Sequence, residues 1–401
     1  MFRFLICISL LYISIGGIFC QEQVDDNECQ RRKFSFNQQI EEIVITCTAV
    51  MDDVISVNSI FAMLYGGKRL GNKKKEPVEE SKDIFYVLKL QNAEIIKIDD
   101  RAFEYQPEIK HIELNNNKIS TLNRLSLSGL SNLEYLSLKE NLIADILPLS
   151  FSQLSKLTYL GMSTNQISTV NYMTFFGLRN LKVLDMDQNN LSELKNSCFG
   201  ALYQLESLNL EENFITTLDG GKLTGANDLR FLSLKRNSLR DIAPGTFGGK
   251  PKLQVLDLSY NSLTQITNET FRGLMSLRVL KLKGNTITTI ESRSFIHTPV
   301  LEELYLGHNG LRLISRDLFI GLVNLHTFTA EDNWMQEVAA SSGSRLEEER
   351  NKLIDGLGVI CRKPGLYYAN LRGNGLQALL DKTEGRVGYD LNDPSQHFCI
   401  F

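Results

Sequence analysis

Residues 133–143 read LEYLSLKENLI, and residues 253–263 read LQVLDLSYNSL. Both fit one frame, L-x-x-L-x-L-x-x-N-x-L, with Leu or Ile at the last apolar position. Ten uninterrupted copies without a one-residue insertion predict a solenoid of stacked, equivalent coils. The Asn of the frame recurs every 24 residues, at Asn117, Asn141, Asn165, Asn189, Asn213, Asn237, Asn261, Asn285, Asn309 and Asn333.

The frame has a physical explanation. In an x-L-x-L-x strand the two Leu side chains point to one face and their neighbours point to the other, since side chains alternate along extended chain. The chain then turns out of the sheet, and the turn leaves backbone groups inside the coil that need hydrogen-bond partners. An Asn amide offers both donors and acceptors. We therefore expect the Asn side chains to form a ladder that links successive coils.

One further column extends the core. A large apolar residue, mostly Phe, recurs at the same interval and predicts a stacked aromatic spine. Its members are Phe103, Leu127, Phe151, Phe175, Phe199, Leu223, Phe247, Phe271, Phe295 and Phe319. Ala93 takes the Asn position of a degenerate first coil, and the alternation of 43–47 predicts a strand that pairs onto it.

The ends of the chain differ in composition from the repeats. Residues 1–20 carry Arg3, then an apolar run, and then a polar Gln-Glu-Gln, which is typical of a secretory signal peptide; a signal anchor is the alternative. We divide the rest into an N-terminal cap at 21–83, about eleven repeats at 84–335 and a C-terminal cap at 336–401. The pattern stops after Asn333, and 344–357 predicts a short amphipathic helix. No second apolar run of spanning length follows the signal, so a secreted, extracellular protein without stable membrane insertion is expected.

The cysteines fit an oxidising compartment. Cys29 and Cys47 precede the repeats, while Cys361 and Cys399 follow them, so each pair is expected to close one cap as a disulfide. Cys198 lies in a column of small residues. Two interpretations of it stay open: a half-buried thiol that fills a small site, or an intermolecular disulfide that joins two chains.

Little in the sequence indicates catalysis. The net charge of -4 is small for 401 residues and does not favour nucleic-acid binding. None of the five histidines has metal-ligand spacing, and neither a nucleophile elbow nor a phosphate-binding Gly loop is present. We therefore expect no enzyme activity, no cofactor and no metal. Two sequons, at Asn190 and Asn268, lie away from the predicted strands and are expected to carry glycans.

The exposed positions of the strands form columns that run from coil to coil. Tyr135 and Tyr159 occupy adjacent coils, with Phe231 further along, and exposed aromatic side chains suit a protein interface. An acidic group, followed by a basic one, could orient a partner; the alternative is a mixed surface whose opposite charges satisfy each other. The predicted partner-binding residues are Tyr135, Tyr159, Asp185, Asp187, Glu211, Phe231, Lys235, Lys281 and Lys283.

From Leu88 to Met335 the repeats resemble the extracellular leucine-rich repeat proteins, which include Toll-like receptor ectodomains, Slit-type guidance proteins and the leucine-rich immune proteins of insects. The resemblance implies an α/β solenoid, a curved horseshoe with a parallel sheet on its concave face, an irregular or short-helical convex side and disulfide-bonded flanks. It also implies protein binding on the concave face. The flanks depart from the family, since each carries two cysteines rather than about four.

Two functions follow from these features. The first is a secreted recognition or adaptor protein, in innate defence or as a secreted effector. The alternative is a structural or extracellular-matrix scaffold.

Overall fold

A computed structural model of the chain describes residues 29–37, 40–47, 55–56, 83–339 except 105 and 107, 344–376, 379 and 399–400. The predicted signal peptide, most of the predicted N-terminal cap and part of the predicted C-terminal cap lie outside the described residues. No helix in the described part of the chain is both long and apolar enough to cross a membrane.

The chain forms two compact units, and each is described by itself. The amino-terminal unit comprises residues 1–191 and 198–205, and the carboxy-terminal unit comprises residues 192–197 and 206–401. The strands of the amino-terminal unit are β1 (Cys29–Asn37), β2 (Ile40–Cys47), β3 (Ile55–Ser56), β4 (Asp83–Lys89), β5 (Ile95–Lys97), β6 (Ile109–Glu113), β7 (Thr121–Leu122), β8 (Tyr135–Ser137), β9 (Asp145–Ile146), β10 (Tyr159–Gly161), β11 (Thr169–Val170) and β12 (Val183–Asp185).

The carboxy-terminal unit continues the alternation of strands and adds the helices. Its elements are β13 (Glu193–Leu194), β14 (Ser207–Asn209), β15 (Phe231–Ser233), β16 (Val255–Asp257), β17 (Gln265–Ile266), β18 (Val279–Lys281), β19 (Thr289–Ile290), β20 (Glu303–Tyr305), a 3₁₀ helix (Arg316–Phe319), β21 (Thr327–Thr329), α1 (Gln336–Ala339), α2 (Ser344–Arg362), β22 (Tyr368–Asn370) and β23 (Cys399–Ile400).

The main-sheet strands of each unit run parallel to one another, except that β1 is antiparallel to β2. The order is β1-β2-β4-β6-β8-β10-β12 in the amino-terminal unit and β14-β15-β16-β18-β20-β21-β22-β23 in the carboxy-terminal unit. Residues 24 apart are register partners, as Leu136 is of Leu160. The predicted parallel-strand leucine-rich repeat solenoid is confirmed. The strand predicted at 43–47 is also confirmed, because β2 runs parallel to β4.

The Asn ladder forms as predicted, and Asn165 shows its geometry. The Oδ1 atom accepts a hydrogen bond from the N–H of Ile143 in the preceding coil, at 3.0 Å. The Nδ2 group donates to the carbonyl of Leu138 in that coil, at 2.9 Å, and to that of Met162 in its own coil, at 3.1 Å. Asn165 is 8% exposed, so these bonds lie in the interior. Each Asn therefore joins two coils and satisfies buried backbone groups of both.

The residue before each ladder Asn has a left-handed backbone. Non-glycine residues in this column have φ between 52° and 56°, a region that costs L-residues about 1 to 2 kcal/mol. The sequence frame did not indicate this conformation, since the column contains no consensus Gly. The column comprises Asn92, Asn116, Glu140, Thr164, Gln188, Glu212, Arg236, Tyr260, His308 and Asp332.

A second period, of 48 residues, runs through the return half of the coils. Glycines with φ between 90° and 105° stand in alternate coils, at Gly129, Gly177, Gly225, Gly273 and Gly321. At Gly129 a Cβ atom would lie 2.1 Å from the carbonyl oxygen of Phe103, so the backbones of neighbouring coils touch there. The coils therefore alternate between two forms, although their cores are equivalent.

The expectation that the repeat pattern stops after Asn333 is wrong. Strand β22 pairs in parallel with β21. Asn374 then takes the ladder position, because its Oδ1 accepts the N–H of Asn333 at 3.2 Å and its Nδ2 donates to the carbonyl of Ala330 at 2.8 Å. Residues 366–376 read LYYANLRGNGL, which fits the frame with Ala369 at the second position. A further coil therefore lies inside the predicted C-terminal cap.

Helix α2 explains why the interval to this last coil is longer. It spans 19 residues, against the shorter segment predicted at 344–357, and it lies between the two ladder positions. A Cβ atom on Gly356 would lie 1.9 Å from the carbonyl oxygen of Ile314. The helix therefore packs with its backbone directly against the preceding coil, and the chain then returns to the repeat register.

The predicted aromatic spine is present. Phe151, Phe175 and Phe199 are fully buried, and their rings stack at centroid distances of 6.4 and 6.0 Å. Cys198, beside this spine, is 1% exposed, so it is buried rather than half-buried. A second chain could reach its Sγ atom only if the surrounding coil opened. The structure therefore gives no support to a dimer through Cys198.

Replacement of Asn374 by Ala tests the additional coil. The change leaves the N–H of Asn333 without its partner, while the carbonyl of Ala330 keeps the hydrogen bond from Asn333 Nδ2. Because one orphaned buried group costs about 1 to 3 kcal/mol, we expect the free energy of unfolding to fall by that amount in urea titrations. Asn180→Ala, at an exposed Asn, is the control and should change it little. Equal stability of the two variants would show that Asn374 has no ladder role.

The disulfide predicted between Cys29 and Cys47 has support from the backbone only. The two residues are direct partners in the antiparallel β1–β2 pair. Cα atoms of such partners lie about 4.5 to 5.5 Å apart, within the range that a disulfide spans. We expect mass mapping of the non-reduced protein to recover a peptide linking Cys29 to Cys47, and a second linking Cys361 to Cys399. A crossed link such as Cys29 to Cys361 would contradict the prediction.

Candidate partner-binding surface

We call the outward-pointing side chains of the main-sheet strands, with the residue two positions further along the chain, the strand face. In the amino-terminal unit this face carries three parallel rings. Tyr135 stacks on Tyr159 with ring centroids 4.4 Å apart and planes 5° apart. His111 stacks on the other side of Tyr135 at 4.1 Å and 1°. All three side chains are half-buried, so the predicted aromatic strip is real and one residue longer than predicted.

Lys139 lies across the strand next to its own. Its Nζ atom is 2.5 Å from a carboxylate oxygen of Asp185, two coils away, and 5.9 Å from the centre of the Tyr159 ring. A Cβ atom on Gly161 would lie 2.8 Å from Lys139 Cε and 2.9 Å from the Tyr159 hydroxyl. The missing side chain of Gly161 therefore provides the space through which the lysine reaches Asp185.

Asp187 is the second carboxylate of this region. Burial, followed by the hydrogen bond and the charge of Asp185, raises the pKa of Asp187 to about 6, while Ser163 and Lys139 act in the opposite direction. Lys139 forms its salt bridge with Asp185. The Asp187 carboxylate therefore carries its charge at neutral pH in surroundings that disfavour it.

At the His111 end of the ring stack, the charge of Glu113 is balanced by neighbours in the same chain. Glu113 accepts a hydrogen bond from His111 at 2.7 Å and forms a salt bridge with Lys89 at 3.3 Å. Burial acts to raise the pKa of Glu113, but the contacts with His111 and Lys89 outweigh it and the net pKa is lowered. Glu113 is thus ionised at neutral pH and paired with Lys89.

On the strand face of the carboxy-terminal unit the predicted charged residues pair with one another or with neighbours. Lys235 forms a salt bridge with Glu211. Lys281 lies 3.7 Å from Asp257, and Lys283 lies 3.0 Å from Glu331, two coils further on. The contacts therefore favour the alternative in which opposite charges on this surface satisfy each other.

Phe231 lies on the same face of the carboxy-terminal unit and is 36% exposed. Its register partners are Ser207 and Val255, so it contacts no aromatic row of the kind that Tyr135 belongs to. The structure thus brings Tyr135, Tyr159, Asp185 and Asp187 together in one unit. It places Glu211, Phe231, Lys235, Lys281 and Lys283 in the other.

Sequence reasoning missed His111, Lys139 and Gly161 as parts of the aromatic site. His111 was visible in the sequence, because it precedes Tyr135 by one 24-residue step in the same column. The role of Gly161 was not visible, since it depends on the path of the Lys139 side chain.

The two sequon asparagines, Asn190 and Asn268, are exposed and lie outside the strands. Within the part of the chain that is described, no group of three or more His, Cys, Asp or Glu side chains could hold a metal ion.

These features define the class of repeat solenoids with an open, side-chain-lined sheet. The Leucine rich repeat family model matches residues 86–143, 131–191, 179–239, 228–287 and 276–334, which is more than half of the chain. The chain belongs to the leucine-rich repeat family. Proteins of this family generally mediate protein–protein binding, on a scaffold that is typically not enzymatic. A comparison with curated protein sequences found no significant match.

Solved structures share the fold. A leucine-rich repeat protein of Leptospira interrogans is 22% identical, with a TM-score of 0.56 over 72% of this chain and 73% of that one. A chain of the octameric complex of Latrophilin 3, Unc5D and FLRT2 (LRR) is 25% identical, with a TM-score of 0.53 over 67% and 84%. A chain of the TLR13–ssRNA13 complex is 22% identical, with a TM-score of 0.45, and covers 73% of this chain. This chain spans 51% of that TLR13 chain.

The raised pKa of Asp187 predicts a pH-dependent effect of Asp187→Asn. The protonated carboxyl is favoured in the folded protein, so ionisation costs stability as the pH rises from about 4 through 6. A shift of about two units corresponds to about 2.7 kcal/mol, which solvent around this half-exposed group reduces to about 1 kcal/mol. We expect the Asn variant to be more stable by that amount at pH 7.5 and equal to the original chain at pH 4, in urea titrations. An equal loss at both values would contradict the assignment.

Proposed function

We propose that this protein is a secreted recognition or adaptor protein that binds a protein partner through the strand face of its amino-terminal unit. The observation that carries the proposal is the row of His111, Tyr135 and Tyr159. Parallel rings at 4.1 and 4.4 Å form a continuous, half-exposed aromatic surface across three coils. Rigid aromatic side chains supply much of the binding energy at protein interfaces, because they bury a large area at low entropic cost.

The surrounding charges support this assignment. Lys89 and Lys139 are paired with the carboxylates of Glu113 and Asp185. A partner that covers the face therefore does not bury either lysine as an unpaired charge, which would carry a large desolvation penalty. The pairing also fixes the positions of the side chains that border the rings. The aromatic row is therefore presented in one arrangement before binding, which lowers the entropic cost of association.

Three features of the sequence favour an extracellular setting. The signal-like sequence at 1–20, the sequons at Asn190 and Asn268 and the paired cysteine positions all suit a secreted protein. The similar structure that contains FLRT2 (LRR) is a complex with the proteins Latrophilin 3 and Unc5D. These features support recognition of a partner outside the cell, and innate defence or a secreted effector role is the setting that we propose for it.

A structural or extracellular-matrix scaffold is the second candidate, favoured by the length of regular, uninterrupted repeat. The two are separated by where the protein is found. Abundance in an extracellular fluid favours recognition, whereas retention in a detergent-insoluble matrix favours the scaffold.

The double variant Tyr135→Ser/Tyr159→Ser tests the proposed surface. Full-length protein and variant are used to capture partners from the extracellular fluid of the source organism, and bound protein is quantified. We expect binding to fall at least about tenfold, because two ring contacts are lost, while the secreted amount stays the same.

The matched control is Tyr172→Ser/Tyr203→Ser, which removes two tyrosines that are 65% and 63% exposed and lie outside the strands of the same unit. This control should bind as the original chain does. If the strand-face variant also binds normally, the partner uses another surface and the proposal fails.

A further inference from the structure

This inference rests on the proposed function and concerns the chemistry of the partner. On the strand face of the amino-terminal unit the carboxylates outnumber the cations. Lys89 is bound to Glu113, and Lys139 is bound to Asp185. Asp187 is a third carboxylate on this face, two residues along the chain from Asp185, whose charge raises the pKa of Asp187. Two lysines thus face three carboxylates, and the surplus negative charge lies at Asp187.

The Ser163 hydroxyl indicates that the hydrogen bonding around Asp187 is incomplete within the chain itself. Ser163 is 5% exposed and occupies the coil next to Asp187. Its oxygen is near enough to lower the pKa of that carboxyl, yet it forms no well-aligned hydrogen bond with any described residue. A buried hydroxyl without an aligned partner is uncommon in folded proteins and calls for an explanation. A ligand that draws the Asp187 carboxylate into a fixed position would supply one.

The contacts of Lys139 show which chemistry the surroundings of Asp187 accept. Its ammonium group binds the carboxylate of Asp185 and lies near the ring of Tyr159. Asp187 offers a second carboxylate acceptor on the same strand face. Carboxylates only accept hydrogen bonds when ionised, so an anionic or acceptor-rich ligand is repelled and a cationic donor is attracted.

The neighbouring strand residues add an apolar wall. Tyr159 is the register partner of Val183, and both are half-buried on the strand face. Val183 and Asp187 are four residues apart, which is about 13 Å along extended chain. One partner segment can therefore place an apolar side chain on the wall and a long basic side chain at the carboxylate.

We propose that Asp187 is the subsite for an arginine or lysine side chain of a protein partner, and that a nearby apolar side chain of the same partner packs on Tyr159 and Val183. The partner is thus basic and apolar at its contact point.

A displayed library of random peptides, selected on the immobilised full-length protein, tests this proposal. We expect the recovered peptides to contain Arg or Lys about threefold more often than the starting library, together with an aromatic or aliphatic residue. Binding of the best peptides should fall about tenfold or more in Asp187→Asn, since the charge-assisted contact is lost. Asp228→Asn, at an exposed carboxylate paired with Lys252, is the control and should bind as the original chain does.

The outcomes separate this inference from the proposed function. Peptides that lose binding in Tyr135→Ser/Tyr159→Ser, but lack basic residues or bind Asp187→Asn normally, overturn the subsite and leave the strand face intact as the binding surface. Peptides that bind the tyrosine variant normally contradict the proposed function. Recovery of no binding peptide counts against both.

Discussion

The structure depends on one interaction, the buried Asn amide that bridges two coils. At Asn165 a single side chain accepts a backbone N–H from the preceding coil and donates to carbonyls of both coils. These groups lie inside the solenoid, where they cannot reach water, so the amide replaces the hydrogen bonds that a longer strand or a helix would supply. The left-handed residue before each Asn is part of the same arrangement. Its backbone cost recurs in every coil where this residue is not glycine, and it is offset there by the ladder.

Most of the fold can therefore be predicted from the sequence, because each core position needs one type of residue and that type recurs every 24 residues. The register of Leu136 on Leu160 and the burial of the Phe column follow directly from the spacing. Asn374 was missed for a physical reason. Helix α2 lengthens the interval between ladder positions, while the frame of 366–376 is intact. The L-x-x-L-x-L-x-x-N-x-L frame by itself identifies this coil, whereas the 24-residue spacing does not. The 48-residue alternation of Gly129 and Gly177 was also present in the sequence.

The position of the aromatic row on the candidate surface could be predicted from the sequence, whereas the contacts of the surrounding side chains could not. The 24-residue spacing correctly predicted that Tyr135 and Tyr159 lie side by side, since parallel strands in register bring such residues together. It did not predict that Lys139 crosses a strand to reach Asp185, because that path exists only where Gly161 leaves room. Lys283 reaches Glu331 in the same manner, across Gly307. Which long charged side chains pair depends on the size of the residue between them. The order of charges along a column therefore does not predict the pairs.

This dependence bears on how a regular scaffold acquires a distinct surface. The ladder holds every coil in the same backbone path, so the identity of a strand-face residue has little influence on the fold. Charge pairs such as Lys235 with Glu211 leave most of that face internally satisfied. In the function that we propose, binding energy comes from places where these contacts are incomplete, and in the amino-terminal unit these are the aromatic row and the surplus carboxylate of Asp187. Gly161 contributes to both, since it lets Lys139 pair with Asp185 and so leaves the charge of Asp187 available to the proposed partner.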